Sequence, residues 1–183
     1  MWAEPHWFEK RKQSQDLENS ILQVKELRRA LDLLQERPAI DRGRIAFVVH
    51  DFGAMFGAVL AGADTRVCAW ALQAGTTSFS DWYLLHPKLE GAERERFIQR
   101  LSVLDPVRFI GAAAPAPVLL QFSSHDEYVP VEKAARFFQA ASEPKEIHFY
   151  EAGHALDVAA VVSDRETWLC SKLGLLWKAE DLR

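Results

Sequence analysis

The sequence predicts an α/β protein, a parallel β-sheet of about four strands flanked by helices. Three observations carry that expectation. Short apolar runs without polar alternation recur along the chain, as in strands buried on both faces. Stretches of helical periodicity or of small residues separate them. The chain has 183 residues, 49% hydrophobic and 26% charged, which suits one globular domain.

The first element is helical. Leu17, Ile21, Val24, Leu27, Leu31 and Leu34 recur at three- and four-residue steps, with Lys25, Glu26, Arg28, Arg29 and Asp32 between them. Pro38 stops this helix, and Asp41-Arg42-Gly43 makes a turn. Ile45-Ala46-Phe47-Val48-Val49 reads as the first strand. Gly53, Ala54, Gly57, Ala58 and Ala61 then give a small-residue helix suited to close packing on a sheet. Val67 to Leu72 is the second strand and Val118 to Phe122 the third, with Arg94 to Leu104 the clearest helix between them. Pro130 opens a helix over Val131 to Ala141. Glu146 to Tyr150 is the fourth strand, and a closing helix runs from Asp164 to Trp177. No repeat or linker divides the chain. Residues 1–183 read as a single domain, with 1–43 an N-terminal loop and helix and 44–178 the strand–helix core.

Composition narrows the function. Lys and Arg total 22 against 26 Asp and Glu, a formal charge of −4, whereas neutralising nucleic-acid phosphates needs clustered positive charge. Cys68 and Cys170 both lie in apolar stretches and read as free thiols. No apolar run approaches the ~20 residues that span a bilayer. The start, Met1-Trp2-Ala3-Glu4-Pro5, lacks the basic-then-apolar layout of a signal peptide. The expectation is a cytoplasmic protein acting on a small molecule, without nucleic acid, membrane, cofactor or metal.

Ligands of open α/β sheets bind beyond the carboxyl ends of the strands. Those ends carry His50-Asp51-Phe52-Gly53, Gly75 to Trp82, Ser123-Ser124-His125-Asp126 and Glu151-Ala152-Gly153-His154. Three of them offer Asp51, Asp126 and His154, in that order. Each also has an ordinary reading: Asp51 as a helix N-cap, Asp126 as a solvated loop carboxylate, His154 as a turn residue. Asp81 is a candidate N-cap for the Trp82 segment and a minor rival for the acid. His6, His50, His86, His125 and His148 show no metal-ligand spacing and read as surface or loop residues. G-x-G-x-x-G, the dinucleotide fingerprint, is absent.

From Arg44 to Leu175 the chain resembles the α/β-hydrolase superfamily, in particular its dienelactone-hydrolase-like members. Val49-His50-Asp51-Phe52-Gly53-Ala54, His125-Asp126-Glu127-Tyr128-Val129-Pro130 and Glu151-Ala152-Gly153-His154-Ala155 carry the likeness. It implies a catalytic triad of Asp51, Asp126 and His154, with the Phe52 backbone N–H in an oxyanion hole. Trp82 and Tyr83, between the second and third strands, are the candidates to line a substrate pocket. Asp51 stands where most members carry serine, and Val49 where glycine is usual. This turn is similar to those of haloalkane dehalogenases and epoxide hydrolases, whose nucleophile is an aspartate. A carboxylate attacking an sp³ carbon gives an alkyl ester that water can hydrolyse, whereas attack on an ester carbonyl gives an anhydride. The resemblance therefore implies hydrolysis through a covalent ester on Asp51. The alternative is a catalytically silent relative in which Asp51 is a cap.

Three departures accompany the likeness. Phe52 lacks the N–H that a tryptophan after the nucleophile gives dehalogenases. The interval from Leu72 to Val118 is too short for a full cap domain. Residues 1–43 leave no room for the early strands of the family, so the chain reads as N-terminally incomplete. Ile45 to Val49 would then be an edge, open to a second copy or a complementing segment.

Overall fold

Four strands lie side by side and parallel in the computed structural model, which describes residues 12–85 and 88–175. They are β1 (Ala46–His50), β2 (Ala69–Gln73), β3 (Val118–Ser123) and β4 (Lys145–Tyr150), in the spatial order β1-β2-β3-β4. Parallel neighbours require crossovers, and helices supply them. The α-helices are α1 (Asp16–Gln35), α2 (Phe52–Ala61), α3 (Phe79–Tyr83), α4 (Gly91–Leu101), α5 (Val131–Ala140) and α6 (Ala159–Leu173).

Burial follows position in the sheet. The central strands β2 and β3 are buried along their whole length, while the outer strands are only partly covered. Side chains alternate between faces, as strand geometry demands. Trp70, Leu72, Val118, Leu120 and Phe122 join the main core with Ala54, Met55, Ala58 and Leu60 of α2. Ala69, Ala71 and Leu119 point the other way and meet Trp168 of α6. Both faces are thus covered, which accounts for the unbroken apolar strands.

Two details of this packing set up the site. A Cβ on Gly57 would stand 3.0 Å from Leu72 and Phe47 side-chain carbons, so the bare glycine lets α2 lie close to β1 and β2 without pressing on them. The polar residues of the central strands are paired: Gln73 Nε2 donates to Gln121 Oε1 at 3.0 Å, and Gln121 Nε2 donates to the Tyr150 hydroxyl at 2.8 Å.

Several expected boundaries move. β2 begins at Ala69 rather than Val67, and β1 extends through His50. The Arg94–Leu104 helix is α4 over Gly91–Leu101, followed by a 3₁₀ turn at Ser102–Leu104. The closing helix starts five residues early, at Ala159, because Val161 buries against Tyr150 and Leu156. It ends at Leu173, where Gly174 takes a left-handed conformation (φ 61°), and Trp177 lies outside the described residues. The leucine stripe of α1 is only partly covered. Val24 and Leu31 are buried, but Ile21 and Leu34 are exposed. No helix among the described residues is long and apolar enough to cross a membrane.

Candidate active site

Asp51 sits on the turn that converts β1 into α2. Its backbone N–H donates to Gln73 O at 2.9 Å, extending the ladder, and its carbonyl accepts from Ala54 and Met55 N–H groups inside the helix. Reversing direction this sharply puts Asp51 at φ 57°, ψ −125°, where side chains other than glycine are strained by ~1–3 kcal/mol. Gly53 serves the same turn, since a Cβ there would stand 3.0 Å from Val49 Cβ. The carboxylate makes no capping hydrogen bond, so the cap reading of Asp51 is corrected. Its Oδ1 is buried without a hydrogen-bond partner.

The loop after β4 brings His154 to face it. His154 Nε2 stands 3.8 Å from Asp51 Oδ2, and its Nδ1–H donates to Asp126 Oδ2 at 2.9 Å. Asp126 Oδ1 accepts backbone N–H groups of Tyr128 (2.8 Å) and Val129 (3.0 Å). The Asp126 side chain is only 1% exposed, so it is not a solvated loop carboxylate, and His154 is 15% exposed. The structure thus brings together all three strand-end residues.

The charges are strongly coupled. Burial pushes the His154 pKa down, but the hydrogen bond to Asp126 and the negative charges of Asp126 and of Asp51 close by outweigh it and lift it to about 9. Burial pushes Asp126 up, yet the bonds from His154, Tyr128 and Val129 hold it below the usual carboxylate range. Both shifts favour the charged forms, imidazolium on His154 and carboxylate on Asp126.

Aromatic rings wall the site. The Trp82 ring lies 5.1 Å from His154 and 5.4 Å from Tyr128, and Tyr128 meets His154 edge-on at 5.1 Å. Trp82 Nε1 is buried without a partner. Tyr83 stands one ring further back. It packs on Phe52 at 5.2 Å, and its hydroxyl pairs with Ser20 Oγ at 2.9 Å. Phe52 is the first residue of α2, where backbone N–H groups point past the helix start. A cleft of about 290 Å³ beside α3 and α4 is lined by Ser80, Asp81, Lys88 and Arg94, with none of Asp51, Asp126 or His154 on its wall.

Other assignments change. Asp81 lies within α3, accepts from Thr76 Oγ1 at 2.6 Å and pairs with Lys133 at 2.5 Å, while Ser78 holds the N-cap position. His125 is exposed, as expected, and pairs with Glu151 at 2.6 Å. His6 and His86 lie outside the described residues. His50 is not a surface residue: it is half-buried, and its Nε2 donates to the His154 carbonyl at 2.8 Å. One donor atom each of His50, Asp51 and His154 lies within 4.8 Å of the others, a grouping that spacing along the chain does not reveal.

Solved structures share this arrangement of elements. The esterase domain of a Rhodothermus marinus protein matches with TM-score 0.61 and 21% identity, over 81% of this chain and 67% of that one. The α/β hydrolase GrgF from a Penicillium species matches with TM-score 0.66 and 18% identity, over 85% and 73%. The chain has the α/β-hydrolase fold. A 2,6-dihydroxy-pseudo-oxynicotine hydrolase matches over 91% of this chain and 49% of its own, with TM-score 0.67 and 18% identity. Among curated proteins, an uncharacterized protein of Bacillus subtilis, YqkD, is 30% identical over 95 residues, 51% of this chain and 27% of that relative. The chain thus matches about a quarter of that relative's length, and it matches no family profile. In α/β-hydrolases the strained strand-to-helix turn carries the nucleophile. Asp51 occupies that turn here.

Proposed function

We propose that this chain is a hydrolase that opens an electrophilic sp³ carbon, an epoxide or a haloalkane, through a covalent ester on Asp51. The observation that carries this reading is His154 held between two carboxylates, bonded to Asp126 and facing Asp51. The fold neighbours named as esterases and hydrolases support a hydrolytic class. An aspartate on the nucleophile turn shifts the substrate from esters to sp³ carbon, because an acyl-aspartate would be an anhydride.

For an epoxide the steps balance. An Asp51 oxygen attacks a ring carbon, the carbon–oxygen bond breaks, and the alkoxide takes the proton from His154 Nε2. Esterification removes the charge of Asp51, one of the causes that lift the His154 pKa, so the imidazole stays neutral. It then takes a proton from water, whose oxygen adds to the Asp51 carboxyl carbon. Collapse expels the second alkoxide, which receives the new acid's proton. A diol leaves, and carboxylate and imidazolium are restored. Asp126 keeps Nδ1 protonated throughout and aims Nε2 at the reacting atoms.

The test is covalent trapping. His154→Gln incubated with an aryl epoxide should accumulate an adduct on intact protein, located to Asp51 by peptide mass. Asp51→Asn should form none. An Asp51→Asn protein that turns substrate over at the wild-type rate would sink the mechanism.

A further inference from the structure

We infer that His50, Asp51 and His154 together form a binding site for a divalent transition cation of the zinc type. Their donor atoms lie within 4.8 Å of one another. Around zinc, with bonds of ~2.0–2.1 Å, tetrahedral ligands stand roughly 3.4 Å apart. Closing the gap asks for shifts of about an ångström, spread over three side chains.

The hydrogen bonds around the cluster point the same way. A metal-bound histidine almost always gives its other ring N–H to a carboxylate or a backbone carbonyl. Both histidines do so here. His154 Nδ1–H goes to Asp126 at 2.9 Å, leaving the lone pair of the neutral ring on Nε2. His50 donates from Nε2 to the His154 carbonyl at 2.8 Å, and since a carbonyl only accepts, the lone pair of neutral His50 is on Nδ1. The second observation is independent of that grouping. His154 Nε2 and Asp51 Oδ1 are both buried without a hydrogen-bond partner in the protein.

Donor type selects the ion. Magnesium and calcium take oxygen ligands, whereas two imidazoles and one carboxylate suit zinc and its neighbours in the first transition row. Three protein ligands leave a fourth position open to water. The site does not depend on Asp51 being a nucleophile. Where Asp51 does act so, the cation engages nucleophile and base at once and inhibits turnover.

The test is binding, read separately from turnover. Protein stripped with a chelator is titrated with Zn²⁺ by calorimetry and with Co²⁺ by visible absorption. One ion per chain is expected, with the intense d–d bands of a four-coordinate cobalt site. His50→Gln, Asp51→Asn and His154→Gln should each weaken Zn²⁺ binding at least ~10-fold, and Asp126→Asn, which only orients His154, by ~10–100-fold. His50→Gln retains a side-chain N–H for the His154 carbonyl, and thermal midpoints of the metal-free variants establish that they fold. His125→Ala, on the exposed surface, should bind as the wild type does. No saturable uptake by the wild type, affinity unchanged in the three ligand variants, or affinity lost with His125 instead would each overturn the site.

Discussion

His50 donates a hydrogen bond to the backbone carbonyl of His154, 104 positions later in the chain. β1 and β4 are the two outer strands, with β2 and β3 between them. The loop after β4 must therefore run over the ends of both central strands to bring His154 to Asp51. This bond fastens the far end of that loop to β1, one residue from the carboxylate His154 faces.

His50→Ala should therefore loosen His154 without touching substrate. Losing one such bond corresponds to ~0.5–1.5 kcal/mol, a drop of about 2–12-fold in kcat with KM nearly unchanged. His50→Gln, which keeps an N–H in place, should recover most of it. Steady-state kinetics of the metal-free proteins on the proposed substrate class check this, and a change confined to KM would contradict it.

Stability should depend on pH through His154. Its pKa is raised from 6.5 to about 9 in the folded protein, so the folded state holds a proton that the unfolded chain releases across that window. The contribution is complete below 6.5, shrinks as pH rises, and is gone above about 9. In urea melts of metal-free protein, the advantage of wild type over His154→Gln should narrow between those values. A gap that widens with pH would refute the coupling.

Asp51→Gly should stabilise the fold while removing the proposed nucleophile. At φ 57° a glycine has no Cβ to clash, so relief of about 1 kcal/mol is expected. Asp51→Ala keeps the Cβ and should not gain. Denaturant midpoints of the two variants separate backbone strain from loss of the carboxylate, and equal midpoints would argue against strain.

That Asp51, Asp126 and His154 come together is legible in the sequence because each follows a recognisable strand, and a parallel sheet gathers all such ends at one edge. The involvement of His50 is not legible. Its partner is a backbone carbonyl, which leaves no mark in a sequence, and the intervening residues hide the approach. Trp82 and Tyr83 read alike as pocket aromatics, but neighbours on a helix diverge by about 100°. Trp82 consequently meets His154, while Tyr83 turns to Ser20. The start of α6 is missed for a similar reason: Ala159-Ala160-Val161-Val162 has no helical periodicity of its own, and the burial of Val161 fixes it.

The last expectation concerns the open side of β1. It pairs with β2 from Ala46 to His50, and among the described residues no strand lies on its other side. Alternate N–H and C=O groups therefore point outward, a template for another strand. Nothing blunts it, for no proline or charged residue interrupts Ile45 to Val49, and Val48 is 41% exposed. Leu22 and Leu33 of α1 are exposed as well. We propose that this edge takes up the same edge of a second copy. Sedimentation of the purified chain should then show association that grows with concentration. Val48→Lys should weaken it, because a charged side chain on an edge strand disfavours a flat, dry pairing. A single monomeric species at every concentration tested, in wild type and variant alike, would rule the pairing out.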